Sequence, residues 1–137
     1  MPTVTMSLSF HRLATGEWIG HRAVDRNPDW EVEIDGDEAG PDEILRALVP
    51  TELSAANALV ALGVAPLAHF TRFRTEAWYP LGAWFSFAGD EPGRREKVVL
   101  SFELEDDVED DVYGSWTVEL VRTFERWWVR SFSRTQQ

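Results

Sequence analysis

No cysteine occurs among the 137 residues, so disulfides, zinc–thiolate centres and thiol nucleophiles are all excluded. Positive charge is scarce as well. Lys97 is the sole lysine, and 13 bases stand against 24 acids, giving a formal net charge of −11. Such a balance repels phosphate backbones and argues against direct nucleic-acid binding; it favours a basic partner or plain solubility. The opening residues, MPTVTMSLSF, lack the basic start and apolar run of a secretory signal. The longest apolar-rich stretch, 55–68, is interrupted by Asn57, Gly63 and Pro66 and reads as too short to span a bilayer. These absences lead to the expectation of a cytoplasmic protein with no membrane contact.

Catalytic and cofactor signatures are missing too. There is no GxSxG elbow, no Walker-type or dinucleotide-binding glycine loop, and no HExxH pair. His11, His21 and His69 include no i, i+4 ligand pair. The run from Asp35 to Gly40 starts like a calcium loop, but the fifth position is Ala39 and the twelfth is Arg46, where oxygen ligands are needed. No metal or cofactor is expected, and no catalytic residue is assigned.

What the chain does have is bulky apolar material. Seven tryptophans and eight phenylalanines, in a chain of this length, can build one core, so residues 1–137 are read as a single domain. Met6, Leu8 and Phe10 alternate with polar residues, as in a half-buried strand. Thr15-Gly16 makes a turn into a second strand near 18–24. Trp30, Val32 and Ile34 then face one way while Glu31, Glu33 and Asp35 face the other. Pro41, Asp42 and Glu43 start a helix that carries Ile44, Leu45, Leu48 and Val49 and stops at Pro50. Thr51 caps a second helix with Leu53, Ala56, Leu59, Val60 and Leu62 inward, ended by Gly63 and followed by Pro66. Strands resume at roughly 67–78, 81–88, 96–105 and 112–121.

The last segment reads two ways. Arg122, Arg126, Arg130 and Arg134 recur every fourth residue opposite Val121, Phe124, Trp128 and Phe132, which is a helical stripe. A strand is also compatible, because Trp127, Trp128 and Val129 favour sheets. The helical spacing is preferred. The resulting expectation is an α+β fold: an antiparallel twisted sheet of about six or seven strands, an inserted helical pair and a C-terminal helix.

Two features point to binding. Seven acids crowd positions 103–111: Glu103, Glu105, Asp106, Asp107, Glu109, Asp110 and Asp111. An exposed acidic loop is the plain reading, and an acidic recognition patch is the functional one. The pair Glu103 and Glu105 shares a strand face, yet acid/base work would need a site that shifts one of them. Trp127 and Trp128 are adjacent, so both cannot be fully buried, and one, taken as Trp127, is a contact candidate. The partner-binding set is therefore Glu105, Asp106, Asp107, Glu109, Asp110, Asp111 and Trp127, helped by acids within 29–43.

The segment Asn27-Pro28-Asp29-Trp30-Glu31-Val32-Glu33-Ile34-Asp35 resembles the NPGW-then-strand segment of one family of immunity proteins from bacterial toxin systems. Tyr113-Gly114-Ser115-Trp116-Thr117-Val118 is similar to a closing strand of small bacterial domains. Together they cover about 15 of the 137 residues. The resemblance implies a non-enzymatic inhibitor that neutralises a basic toxin or nuclease by acidic mimicry or by blocking its cleft. The competing expectation is a small-molecule binding domain, or an enzyme, with Trp78, Trp84, Phe85 and Phe87 lining a pocket on a curved sheet.

Overall fold

The computed structural model describes residues 8–89, 94–105 and 115–135. The elements are β1 (His11–Arg12), β2 (Trp18–Val24), β3 (Asn27–Ile34), the short pair β4 (Gly36–Asp37) and β5 (Gly40–Pro41), α1 (Glu43–Leu48), α2 (Leu53–Thr71), β6 (Trp78–Ala88), β7 (Arg95–Leu104), β8 (Ser115–Thr123) and β9 (Arg126–Thr135). Seven strands form one sheet in the order β1-β2-β3-β6-β7-β8-β9, and β4 and β5 pair only with each other. The fold is α+β, with both helices against one face of the sheet.

Period-two alternation drives the strands. Trp30, Val32 and Ile34 point to the helices and are fully buried, as are Val98, Leu100 and Phe102 on β7 and Val118 and Leu120 on β8. The start of β3 is pinned by Asn27. Its amide Nδ2 donates to the Pro80 carbonyl at 2.8 Å, and its Oδ1 accepts from the Asp29 N–H at 2.9 Å. The Asn-Pro-Asp-Trp run thus has a structural task, tying the β2–β3 turn to β6. The run read as a failed calcium loop is the small β4–β5 hairpin, followed by the cap of α1: the Asp42 carboxylate accepts from Ile44 and Leu45 N–H.

Six expectations need correction. The sheet is mixed, because β3 and β6 run parallel, with Val32 opposite Ala83 and Ile34 opposite Phe85. The helical pair lies between them in sequence and carries the chain back across the face, so it re-enters the sheet in the same direction.

Helix α2 does not end at Gly63. It continues through Pro66 to Thr71, and Arg72 closes it in the left-handed conformation with φ of 67°. A Cβ on Gly63 would lie 2.7 Å from Leu100 and 2.9 Å from Phe102. Glycine is there for close approach to the sheet, and burial of Val64 and Leu67 beyond it holds the helix past the proline. The strand expected at 67–78 accordingly begins only at Trp78, after a 3-10 turn at Thr75–Ala77. In α2, Leu53 and Leu62, expected inward, are exposed.

The C-terminal helix is absent among the described residues, and β9 is a strand paired antiparallel with β8. The arginines of the apparent stripe share no face, since Arg126 pairs with Thr123 and Arg134 with Trp116, and a bulge lies between them. Glu119 pairs with Ser131 but Leu120 with Val129, so Arg130 is an extra residue. The helix-side residues of β9 then fall at Trp127, Val129 and Phe132, opposite Arg122, Leu120 and Val118, with strand spacing on either side of the bulge. At the N-terminus, Leu8, Ser9 and Phe10 are not strand; pairing starts at His11 opposite Ile19.

Candidate functional site

Among the described residues no helix covers the second face of the sheet. Strand register lays cross-strand rows over it: Ile19–Glu33–Trp84–Val99–Glu119–Ser131, and beside it His21–Glu31–Gly82–Ser101–Thr117–Ser133. The sequence folds this way locally because the alternate positions of β3 are acids while its core positions are Trp30, Val32 and Ile34. Gly82 permits the close parallel approach of β6, since a Cβ there would meet the Glu31 carbonyl at 2.6 Å. A shallow depression of about 280 Å³ results, lined chiefly by Glu31, Glu33, Gly82, Trp84 and Ser101.

Charge is divided unequally across this face. Toward β9, Glu119 lies 3.6 Å from the Lys97 amine and 3.5 Å from Arg130 Nε, so its carboxylate is paired. Toward β3, no ion pair neutralises Glu31, Glu33 or Asp35 among the described residues. Glu33 is half-buried, and burial pushes its carboxyl pKa up from the ordinary glutamate value, with Glu17, Glu31 and Asp35 adding like-charge repulsion. Trp84 is 38% exposed beside them. Its indole Nε1 donates to Asp35 Oδ1 at 2.9 Å, and the Lys97 amine stands 5.6 Å from its ring centroid. The ring therefore already attracts a cation within the chain. Uncompensated carboxylates next to an oriented indole suit a planar cation such as a guanidinium, which can take two carboxylate oxygens and stack on the ring.

The sequence-predicted contact residues lie elsewhere. Glu105 accepts from Arg26 Nη2, and its N–H donates to the Ala77 carbonyl at 2.8 Å. Arg26 also donates to the carbonyls of Glu76 and Trp78, so Glu105 belongs to a structural clasp joining the β2–β3 turn to β6 and β7. Asp106, Asp107, Glu109, Asp110 and Asp111 lie outside the described residues. Trp127 is half-buried on the helix side, edge-on to Phe85 with ring centroids 6.2 Å apart; Trp128 is the exposed member of the pair. Glu31 and Glu33 were expected only as helpers among the acids of 29–43, and Trp84 only in an aromatic pocket; the three were not expected together. Their signal was the acid alternation in β3; what was missing was β6 as the parallel neighbour.

The four aromatics proposed for a pocket are split. Trp78 and Phe85 are fully buried beneath the helices, while Trp84 points to the other face. A separate apolar cleft of about 410 Å³ runs between the β2–β3 turn, α2 and β6, lined by Val24, Val60, Val64, Trp78 and Pro80 with Arg26 and Asn57 among its polar members. Among the described residues no group of three or more His, Asp and Glu is placed to hold a metal ion. Comparison with family models, with curated proteins and with solved structures finds no match for the chain.

Proposed function

We propose that this chain is a non-enzymatic binding protein that captures a basic protein partner, of the toxin or nuclease kind, on the open face of its sheet. The observation that carries the reading is Glu33: a half-buried carboxylate with no counter-ion among the described residues, crowded by Glu17, Glu31 and Asp35 and set beside an oriented tryptophan. In the free protein this arrangement is unfavourable. An arginine from a partner would relieve it, converting repulsion into charge-assisted hydrogen bonds and a ring contact. The net charge of −11 steers such a partner from a distance.

The test uses the intact chain as bait in an extract of its native host, with E31Q/E33Q as the matched control. The reading expects a partner of basic isoelectric point whose association rate falls roughly tenfold or more from low to high salt, because exposed charges beyond about 8 Å are screened at physiological ionic strength. The double substitution should weaken the purified complex at least tenfold. A captured protein that is acidic, or one held equally well by E31Q/E33Q, overturns it. A second reading, binding of a small apolar molecule, is supported only by the 410 Å³ cleft along α2.

A further inference from the structure

The cleft between the β2–β3 turn, α2 and β6 encloses about 410 Å³, within the range of about 300–1,000 Å³ typical of small-molecule sites. Its lining is sorted by chemistry. Val24, Val64, Trp78 and Pro80 are buried and form an apolar floor, continued by half-buried Val60. Asp25 and Glu76 are exposed members of the same lining, so both carboxylates stand at the mouth. Asn57 Oδ1 on α2 accepts from the Asp25 N–H at 2.9 Å, which ties the turn to the helix and fixes that wall. Arg26 is the basic member of the lining, and its guanidinium is committed to the carbonyls of Glu76 and Trp78 and to Glu105. The Asp25 carboxylate has no hydrogen bond or ion pair among the described residues. Glu76 accepts from the Thr75 hydroxyl at 3.0 Å. That bond and one from its own N–H, helped by Arg74 and Arg26, hold its carboxyl below the ordinary glutamate pKa, so it stays ionised.

We propose that this cleft binds a small organic cation, a primary amine carrying an apolar chain. Charge selects the head. A carboxylate ligand would meet Asp25 and Glu76 while the guanidinium of Arg26 is already engaged, and a neutral alcohol would leave both acids without a counter-charge. An ammonium brings a positive charge and three donors to the same place. The floor selects the body, because a chain laid on Val60, Val64, Trp78 and Pro80 removes apolar surface from water on both partners. The inference rests on the reading of the cleft as a site for an apolar molecule, and it uses none of the residues of the acidic sheet face.

Calorimetric titration of the intact chain with butylamine, hexylamine and octylamine tests it. Affinity should rise roughly four-fold for each methylene that enters the cleft, the factor equivalent to about 0.8 kcal/mol. Octylamine should bind roughly tenfold tighter than octanoate and several-fold tighter than octanol. Asp25→Asn should cut that preference several-fold and leave the dependence on chain length intact. Ala61→Trp, at an exposed position of the lining, should fill the cleft and weaken octylamine roughly tenfold, whereas E31Q/E33Q should leave it unchanged. Should Ala61→Trp fail to fold, Asp25→Asn decides alone. Octanoate or octanol bound as tightly as octylamine overturns the amine assignment and leaves a site for apolar molecules standing. No binding of any of the three at millimolar concentration overturns both, and loss of octylamine binding in E31Q/E33Q overturns its placement in the cleft.

Discussion

The β8–β9 hairpin should be made more stable by replacing Phe124-Glu125 with Asn-Gly. The two strands are joined by these two residues alone, since Thr123 already pairs with Arg126. Both linking residues have positive φ, 52° and 63°. A two-residue hairpin turn with both positions left-handed is the kind that matches strand twist, and it normally uses Asn-Gly because side chains with a Cβ are strained there. The strain is roughly 1–2 kcal/mol for each L-residue so held. Phe124 is 92% exposed, so its removal forfeits no burial. Asparagine keeps part of the strain, and glycine returns about 0.5–1 kcal/mol through its freer unfolded chain. The net gain should be about 1–2 kcal/mol, read as a higher midpoint in urea unfolding and a melting temperature raised on the order of 4–8 °C. Phe124→Ala is the control: it removes the ring and leaves the strain, so it should change little. Equal gains from Phe124→Ala and from the Asn-Gly pair would refute the strain argument, and a loss of stability with Asn-Gly would refute the turn geometry itself.

Three further outcomes are expected. Gly63→Ala gains about 1 kcal/mol of helix propensity but forces a methyl against Leu100 and Phe102 at under 3 Å, an overpacking cost of about 1–3 kcal/mol, so chemical denaturation should show a net loss. Arg26→Ala strips two carbonyls and Glu105 of their donor and should cost about 1.5–3 kcal/mol, whereas Glu105→Gln, removing one partly exposed charge, should cost below about 1 kcal/mol; equal losses would mean the clasp works through the ion pair alone. Because Glu33 has a raised folded pKa, the fold favours its protonated form, so its ionisation lowers stability as pH rises through that value. Glu33→Gln should therefore be more stable than the parent at pH 7, with the difference closing as pH falls below the ordinary glutamate range, in melting curves recorded across pH.

Much of the sheet was legible because its cause is local. Trp30, Val32 and Ile34 alternate with acids, and Trp116, Val118 and Leu120 alternate with Thr117 and Glu119, so both core faces could be read directly. The failures share a cause that is not local. Gly63 and Pro66 are ordinary helix terminators, yet burial of Val64 and Leu67 outweighs them. The arginine period marks no single face, because Arg126 pairs opposite Thr123 and Arg134 opposite Trp116, and that depends on β8 as the neighbour. Parallel pairing of β3 with β6 depends on where two helices deliver the chain, which no window of sequence encodes.

The candidate site fell between these two kinds of information. Its residues were visible as the polar positions of β3, but an acid facing outward from a strand is normally solvated and unremarkable. The difference lies in the neighbours. Glu119 on the same face has Lys97 and Arg130 beside it, placed by β7 and β9, and is neutralised at home. Glu33 has Trp84 as its cross-strand neighbour on one side and Ile19 on the other, so it loses water without gaining a cation among the described residues. Two carboxylates in one cross-strand row thus meet opposite fates, and only the unpaired one is left with electrostatic work for a partner to do. Exchanging them tests this directly. Adding a cation at the neighbouring position by Ser101→Lys should stabilise the free protein modestly, below about 1 kcal/mol, by satisfying the β3 carboxylates. The same change should weaken capture of the basic partner. Tighter binding in the lysine variant would show that the β3 acids are not the contact, and would return the search to the cleft beside α2.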